Sequence, residues 1–383
     1  MVTVGSGPLD GVTVLDLSTT FMAPYATLLM AQMGAQVTKI EAPGGDILRQ
    51  VADRSGRGCG PIFLNVNRGK RSIVLDLKDA DDYAVLCALV READVLVHNR
   101  TPGNARRLRI DHASLAGLNP RLVYCGIHGF GDEGPYRDRP AYDDVIQAAS
   151  GFAHVQTNGG EPQYVRSPVT DMATGLMALA AINAALFERE RSGMGQAVEV
   201  PMFECMITFL LLEQQGGYVA DPPDGPAGYA RTSSLQRRPY RTTDGMISVL
   251  VYTDAQWSAF FALAGRPELA ADPRFSTMVE RTRNIDELYD FVSDQMGLRT
   301  TAEWLDALGA ALIPAMPVLS IPEVLDDPHV RAVGLFERAE HPVVGPVRQG
   351  RLPVRFSRTR PGPVGPAPLL DEHGAQVRRE VGR

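Results

Sequence analysis

The chain lacks any Cys-x-x-Cys pair: its four cysteines, Cys59, Cys87, Cys125 and Cys205, are scattered. That spacing supports neither a zinc site nor a disulfide framework, and reduced thiols in a cytoplasmic setting are the simpler expectation. Basic charge is also scarce, with 38 Lys and Arg against 45 Asp and Glu and a formal net charge of -7. A protein whose main partner is nucleic acid needs a basic face, so that class is disfavoured. No window approaches the continuous apolar length of a membrane span, and Met1 to Gly7 has no basic segment followed by an apolar core. Neither a membrane partner nor a secretory leader is expected. Three catalytic signatures are missing too: Gly-x-Gly-x-x-Gly after the first strand, Walker A, and the Gly-x-Ser-x-Gly elbow. Their absence disfavours a dinucleotide held in the usual way, simple phosphoryl transfer and an elbow-type hydrolase. The seven histidines are dispersed, and metal ligation has no support beyond their presence.

What is present is an ordinary globular composition, 44% apolar and 22% charged over 383 residues, long enough for about two domains. The β-branched run Val12 to Leu17 predicts a strand, Ser18 to Ala23 a loop of small residues, Pro24 to Met33 a helix stopped by Gly34, and Gln36 to Glu41 the next strand. Strands over 72–76, 95–98 and 122–126, with a helix over 79–92, continue the alternation. Strand, helix and strand in turn predict an α/β fold with a mostly parallel, Rossmann-like sheet, whose ligands bind at the carboxyl ends of the strands. Two basic clusters fall in or beside those loops: Arg68, Lys70 and Arg71, then Arg100, Arg106, Arg107 and Arg109. Each reads equally as a solvated face or as a counter-charge for a phosphorylated ligand. Asp221 to Gly228 reads as a linker, after which a strand at 246–251 and helices at 254–265, 284–296 and 300–308 form a second, smaller α+β unit.

The stretch from Gln163 to Glu199 reads as strand, turn, one carboxylate, a long apolar helix and a return strand. Ser167 is the expected N-cap, with Pro168 at the first helical position, which puts Asp171 in the first turn. Met172, Leu176, Leu179, Asn183 and Leu186 mark the expected buried face. An acid there complements the helix dipole, and local physics gives no more than that.

Motifs in a fixed order carry a resemblance. They are Leu9-Asp-Gly11 with Asp16, Met33-Gly34-Ala35 with Lys39-Ile-Glu41 and Gly44-Gly-Asp46, Asn67 to Ile73 with Leu75-Asp76, and Asn119-Pro-Arg121. Gly129-Phe-Gly131 with Gly134-Pro-Tyr, Ser150-Gly151, Asp171 with Gly175, Gly193-Met-Gly195-Gln196, Asp327-Pro328 and Ala367 to His373 follow. In this order and spacing the chain resembles, over essentially its whole length, the family III CoA-transferases (CaiB/BaiF family), which also include α-methylacyl-CoA racemase. The resemblance implies a discontinuous large domain, residues 1–220 and 326–383, with residues 221–325 as linker and small domain, in an interlocked homodimer.

It further implies that Asp171 matches the nucleophilic aspartate. The carboxylate attacks an acyl-CoA to give a mixed anhydride and then an aspartyl-CoA thioester, and the acceptor acid reverses the steps. Acyl-CoA and a carboxylic acid are then the substrates, coenzyme A is the carried group, and no metal is called for. The helix N-terminus would help keep Asp171 ionised, and nearby backbone N–H groups would hold the tetrahedral oxyanions. Asp143 matches an acidic position beside the nucleophile. The implied CoA contacts are Ser18, Thr19, Thr20, Phe21, Met22 and Ala23, then Ala42, Asn67, Lys70, Arg71, Asn99, Arg100, Arg107 and Leu108. Ala42 stands where many members have arginine, and Asn99-Arg100-Thr101-Pro102-Gly103 has its arginine displaced by one place. The racemase histidine falls at Tyr142, normally too weak a base, which favours CoA transfer over 2-methylacyl-CoA racemisation. A CoA-binding protein without turnover is the remaining alternative. Arg231, Arg237, Arg238 and Arg241 are either a cationic acyl-side pocket suited to a dicarboxylic acid or a solvated linker.

Overall fold

In the computed structural model, residues 7–157, 160–359 and 361–383 are described, so most of the reading of Met1 to Gly7 lies outside them. The alternation of strand and helix produces one parallel sheet. Thr13–Asp16 (β1), Gln36–Glu41 (β2), Arg71–Val74 (β3), Val95–His98 (β4), Val123–His128 (β5) and Ala197–Pro201 (β6) lie in the order β3-β2-β1-β4-β5-β6. Every neighbouring pair is parallel. The strands beside β1 on one side are covered on both faces; all four residues of β4 and all six of β5 are buried. Strand order reverses between β1 and β4, so the loops leaving these two strands open the crevice where such folds bind ligands.

Between the strands run Met22–Gln32 (α1), Pro61–Val66 (α2), Ala80–Glu92 (α3), Pro102–Arg107 (α4) and His112–Leu115 (α5). Asp143–Ala149 (α6), Phe152–Val155 (α7), Val169–Ser192 (α8) and Met202–Gln214 (α9) follow. α3 starts where Asp79 accepts from the backbone N–H groups of Asp81 and Asp82, which satisfies two donors a helix start leaves open. One side of the sheet packs Leu15, Ile73, Leu86, Leu96 and Leu122 with Val377 of the C-terminal helix Gly374–Glu380. α1 is buried almost all round, as an apolar helix lying beneath a second helix must be.

That second helix is α8, and of its expected face only Leu179 and Leu186 are fully buried. Thr174, Gly175, Ala178, Leu179, Ile182, Ala185 and Leu186 are buried, whereas Leu176 and Met177 are each 49% exposed. The reason is the closeness of α1: a Cβ built on Gly175 would lie 2.7 Å from the Met22 carbonyl oxygen, so small residues face inward where the two backbones approach. Among the described residues α8 alone is long and apolar enough to cross a membrane, contrary to the sequence reading. It is packed against α1, β5 and β6, with Arg189 buried in it and paired to Asp94 at 3.0 Å. Gly175→Ala should push the two helices apart at a cost of about 1–3 kcal/mol. A lower melting temperature in thermal denaturation checks this.

The chain divides into two compact units. The first comprises residues 1–156, 163–209 and 331–383, and the second residues 157–162 and 210–330. The first also contains an antiparallel hairpin, Phe336–His341 with Gly345–Gly350. The second has a three-stranded antiparallel sheet, Tyr240–Arg241, Met246–Val249 and Ala315–Pro317, beside a core of Trp257, Phe260, Phe261, Leu288, Met296 and Trp304. Thr253 and Thr300 each close a capping box, with Gln256 and Glu303 respectively, so the polar residues at these helix starts are structural.

Candidate active site

Asp171 sits half-buried in the first turn of α8, but that turn is built differently from the expected cap. The helix begins at Val169, and Pro168, with φ -73 and ψ 62, is the cap without a side-chain cap bond of its own. Capping comes from another element. Asp143, the first residue of α6, accepts through Oδ2 from the Thr170 N–H (2.8 Å), the Thr170 hydroxyl (2.7 Å) and the Asp171 N–H (3.0 Å). The Val169 N–H donates to the Ser167 carbonyl at 2.7 Å and that of Met172 to the Pro168 carbonyl at 3.0 Å. All four leading N–H groups of α8 are therefore engaged.

This overturns the expectation that the helix start keeps Asp171 ionised, and it leaves none of these four N–H groups free for an oxyanion. Burial, and next the charge of Asp143, push the Asp171 carboxyl up to about 7. One acid holds the helix end, and the other is left able to take up a proton near neutrality. Gln147, a residue the sequence reading passed over, completes the arrangement. Its buried amide donates to Asp143 Oδ1 (2.5 Å) and the Val165 carbonyl (3.2 Å) and accepts from the Val165 N–H (2.8 Å). Its spacing from Asp143 by one helical turn is the signal that could have found it. Tyr142 precedes α6 with 71% of its surface exposed.

Beneath the crevice lies a buried ionic network. Lys70 Nζ donates to Asp16 (2.9 Å), the Pro24 carbonyl (3.0 Å) and Asn67 Oδ1 (2.9 Å), while Lys39 pairs with Asp46 at 3.0 Å and donates to the Ser18 carbonyl at 2.8 Å. Burial would raise the Asp16 carboxyl, but Lys70 and Lys39 hold it well below the carboxylate range. Burial pulls the Lys70 ammonium down to about 8, still charged at neutrality. An ammonium has three donors, and all three of Lys70 are committed internally. The side chains of Lys70 and Asn67, both expected in the CoA pocket, are held in this network instead. Arg71 is likewise engaged, with Glu380 at 2.7 Å and Thr38 at 2.9 Å.

The other expected contacts divide by burial. Ser18 turns inward, its N–H and hydroxyl both donating to Asp16, and Met22 and Ala23 are buried in α1. Thr19, Thr20, Phe21, Arg100 and Leu108 are half-buried, whereas Ala42 and Arg107 are exposed. Asn99 ties the two crevice loops together, accepting from the Thr19 N–H (3.0 Å) and donating to its carbonyl (2.8 Å). Thr20 holds a left-handed backbone at φ 65. Arg107 borders a cavity of about 450 Å³ with Leu77, Lys78, Leu108 and Arg109, and no acid lines it.

Arg68 differs from its neighbours. It is buried, makes no ion pair or hydrogen bond among the described residues, and burial alone draws its pKa down. Elsewhere, one ring nitrogen of His128 and a carboxylate oxygen from each of Asp132 and Glu199 lie within 4.8 Å of one another. Glu199 already accepts from the Asp132 N–H at 2.7 Å, which ties the loop after β5 to β6.

A six-stranded parallel sheet with a clasped switch-point crevice, and an acid at the mouth of its longest helix, define an α/β protein of the switch-point class. Residues 9–374 match the family described as CoA-transferase family III. The succinyl-CoA:mesaconate CoA-transferase of Haloarcula hispanica is 32% identical over 98% of this chain and 97% of its own. The acetyl-CoA:oxalate CoA-transferase of Acetobacter aceti is 35% identical over 98% and 96%. A crystal structure of a CaiB/BaiF family protein from Brucella suis superposes with a TM-score of 0.83 at 31% identity, covering 98% of this chain and 99% of that one. The chain belongs to CoA-transferase family III, and it is an enzyme of that family.

Proposed function

We propose that this enzyme moves CoA from an acyl-CoA donor to a dicarboxylic acid, with Asp171 as nucleophile. The observation that carries the reading is the fixed placement of Asp171 by Asp143, which takes the helix N–H groups and leaves the second carboxylate uncommitted. Asp171 attacks the thioester carbon and expels CoA thiolate, giving a mixed anhydride. The thiolate then attacks the aspartyl carbonyl, releasing the donor acid and leaving an aspartyl-CoA thioester. An acceptor carboxylate repeats both steps in the opposite sense, and no net proton is gained or lost. Mesaconate and oxalate, in the names of the two relatives, each carry two carboxylates, which supports a diacid acceptor.

CoA is assigned to the crevice lined by Thr19, Thr20, Phe21, Asn99 and Arg100, with Arg68 and Arg107 as its phosphate partners. A buried guanidinium without a counter-ion is costly, and an arriving phosphate relieves that cost. A homodimer is part of the same reading; the exposed Leu176, Met177 and Phe187 on α8 supply an apolar face for it. A solution mass near one 41.5 kDa chain would contradict it. Unpaired cysteines accord with a cytoplasmic setting.

The test is to incubate the protein with acetyl-CoA or succinyl-CoA, quench with hydroxylamine or borohydride, and map the modified peptide by mass. Modification at Asp171, absent from Asp171→Ala, is the expected result. Transfer that persists in Asp171→Ala sinks the mechanism. α-Deuterium exchange without an acceptor would point to racemisation instead, and CoA binding without turnover to a binding protein.

A further inference from the structure

Arg166 stands five positions before Asp171, and the chain between them is folded into a compact, fixed shape. The Ser167 N–H donates to the Val165 carbonyl at 2.8 Å, and the Val169 N–H to the Ser167 carbonyl at 2.7 Å. Two successive three-residue turns result, with Arg166 at the apex of the first and Pro168 at that of the second. The Pro168 angles, φ -73 and ψ 62, are those of an inverse γ-turn. The amide of Gln147 grips both sides of the first turn, at the Val165 N–H and carbonyl and, at 3.4 Å, at the Ser167 carbonyl. Because the same amide holds Asp143, and Asp143 holds the Asp171 backbone, Arg166 and Asp171 are mounted on one hydrogen-bonded frame.

The charge on that frame is uneven. Asp143 and Asp171 are carboxylates, Asp144 adjoins Asp143, and the exposed Arg166 has no ion pair, hydrogen bond or ring contact among the described residues. A dicarboxylate approaching Asp171 brings two further negative charges. One passes to the departing CoA thiolate as the anhydride forms, and the other needs a cation held at a fixed place. Arginine suits that task, since its planar fork matches a carboxylate with two parallel hydrogen bonds.

We propose that Arg166 is the residue that selects dicarboxylic acids, by pairing with the carboxylate of the acceptor that does not react. This rests on the CoA-transferase reading above. The Gln147 frame sets the cation at the apex of a rigid turn, so selection follows from position as well as charge.

Matched acid pairs test it: succinate against butyrate and glutarate against pentanoate, each pair differing by one carboxylate. The ratio of kcat/KM within a pair does not depend on how much of a variant is folded. Wild type should favour each diacid, Arg166→Gln should lose that preference by tenfold or more, and Arg166→Lys should restore part of it. Wild type without a diacid preference, an Arg166→Gln ratio that stays unchanged, or a loss equal for both acids or complete in Arg166→Gln would each overturn the proposal. Failure of wild type to transfer CoA to any acid would instead sink the CoA-transferase reading itself.

Discussion

Asp171→Asn should abolish CoA exchange and at the same time make the protein more stable above pH 7. Under the proposed chemistry loss of exchange follows because an amide cannot serve as the attacking carboxylate, and a fall of three or more orders of magnitude is the expected scale for a missing nucleophile. The gain in stability follows from the sign of the shift. Burial and Asp143 raise the Asp171 carboxyl from 3.8 to about 7, so folding disfavours its ionised form. Below the unfolded value the penalty is absent; it grows as pH rises and is complete above 7. Discounted for the partial exposure of the group, the gain is on the order of 2 kcal/mol at pH 8 and vanishes near pH 4. Thermal melts of both proteins across that range check it. In wild type the rate of trapping at Asp171 should rise with pH and level off above about 7, since only the carboxylate attacks.

Lys70→Met should damage the fold much more than the ligand contact. It leaves Asp16 buried with one of its two cations removed and strips partners from Asn67 and the Pro24 carbonyl. Breaking a buried pair from one side costs about 3–5 kcal/mol, which denaturant titration will read as a lower midpoint. Arg68→Gln should behave in the opposite way. Removing a buried cation that has no counter-ion leaves stability unchanged or higher, while CoA affinity falls by about tenfold or more, the worth of a charge-assisted hydrogen bond. A Lys70→Met protein that melts like wild type but no longer binds CoA would return Lys70 to the pocket and contradict the network.

The contrast between these two residues shows where sequence stops being legible. Asn67 to Arg71 carries three positive charges in a row of five, and nothing in their order tells which points inward. Lys70 is internal because Asp16 and Asn67 meet there from separate segments, and Arg71 is engaged because Glu380 arrives from the C-terminal helix. The parallel sheet, by contrast, was readable from local runs: β2 and β4 end where the β-branched stretches end. Asp171 was readable as an acid in a first helical turn. Its ionisation was not, because the group that captures the helix N–H groups is Asp143, 28 positions earlier. Periodicity placed Leu179 and Leu186 but misjudged Leu176, since it knows nothing of a neighbouring backbone pressing on Gly175.

The capture of the α8 N–H groups by Asp143 bears on the resting form of the enzyme. A free Asp171 carboxylate shares its surroundings with a second negative charge, whereas an aspartyl thioester is neutral and feels no such repulsion. Under the proposed chemistry, the thiol-loaded protein is thereby favoured over the empty one. An enzyme held in acyl-CoA without an acceptor should then accumulate the thioester, which the mass of the intact protein would read.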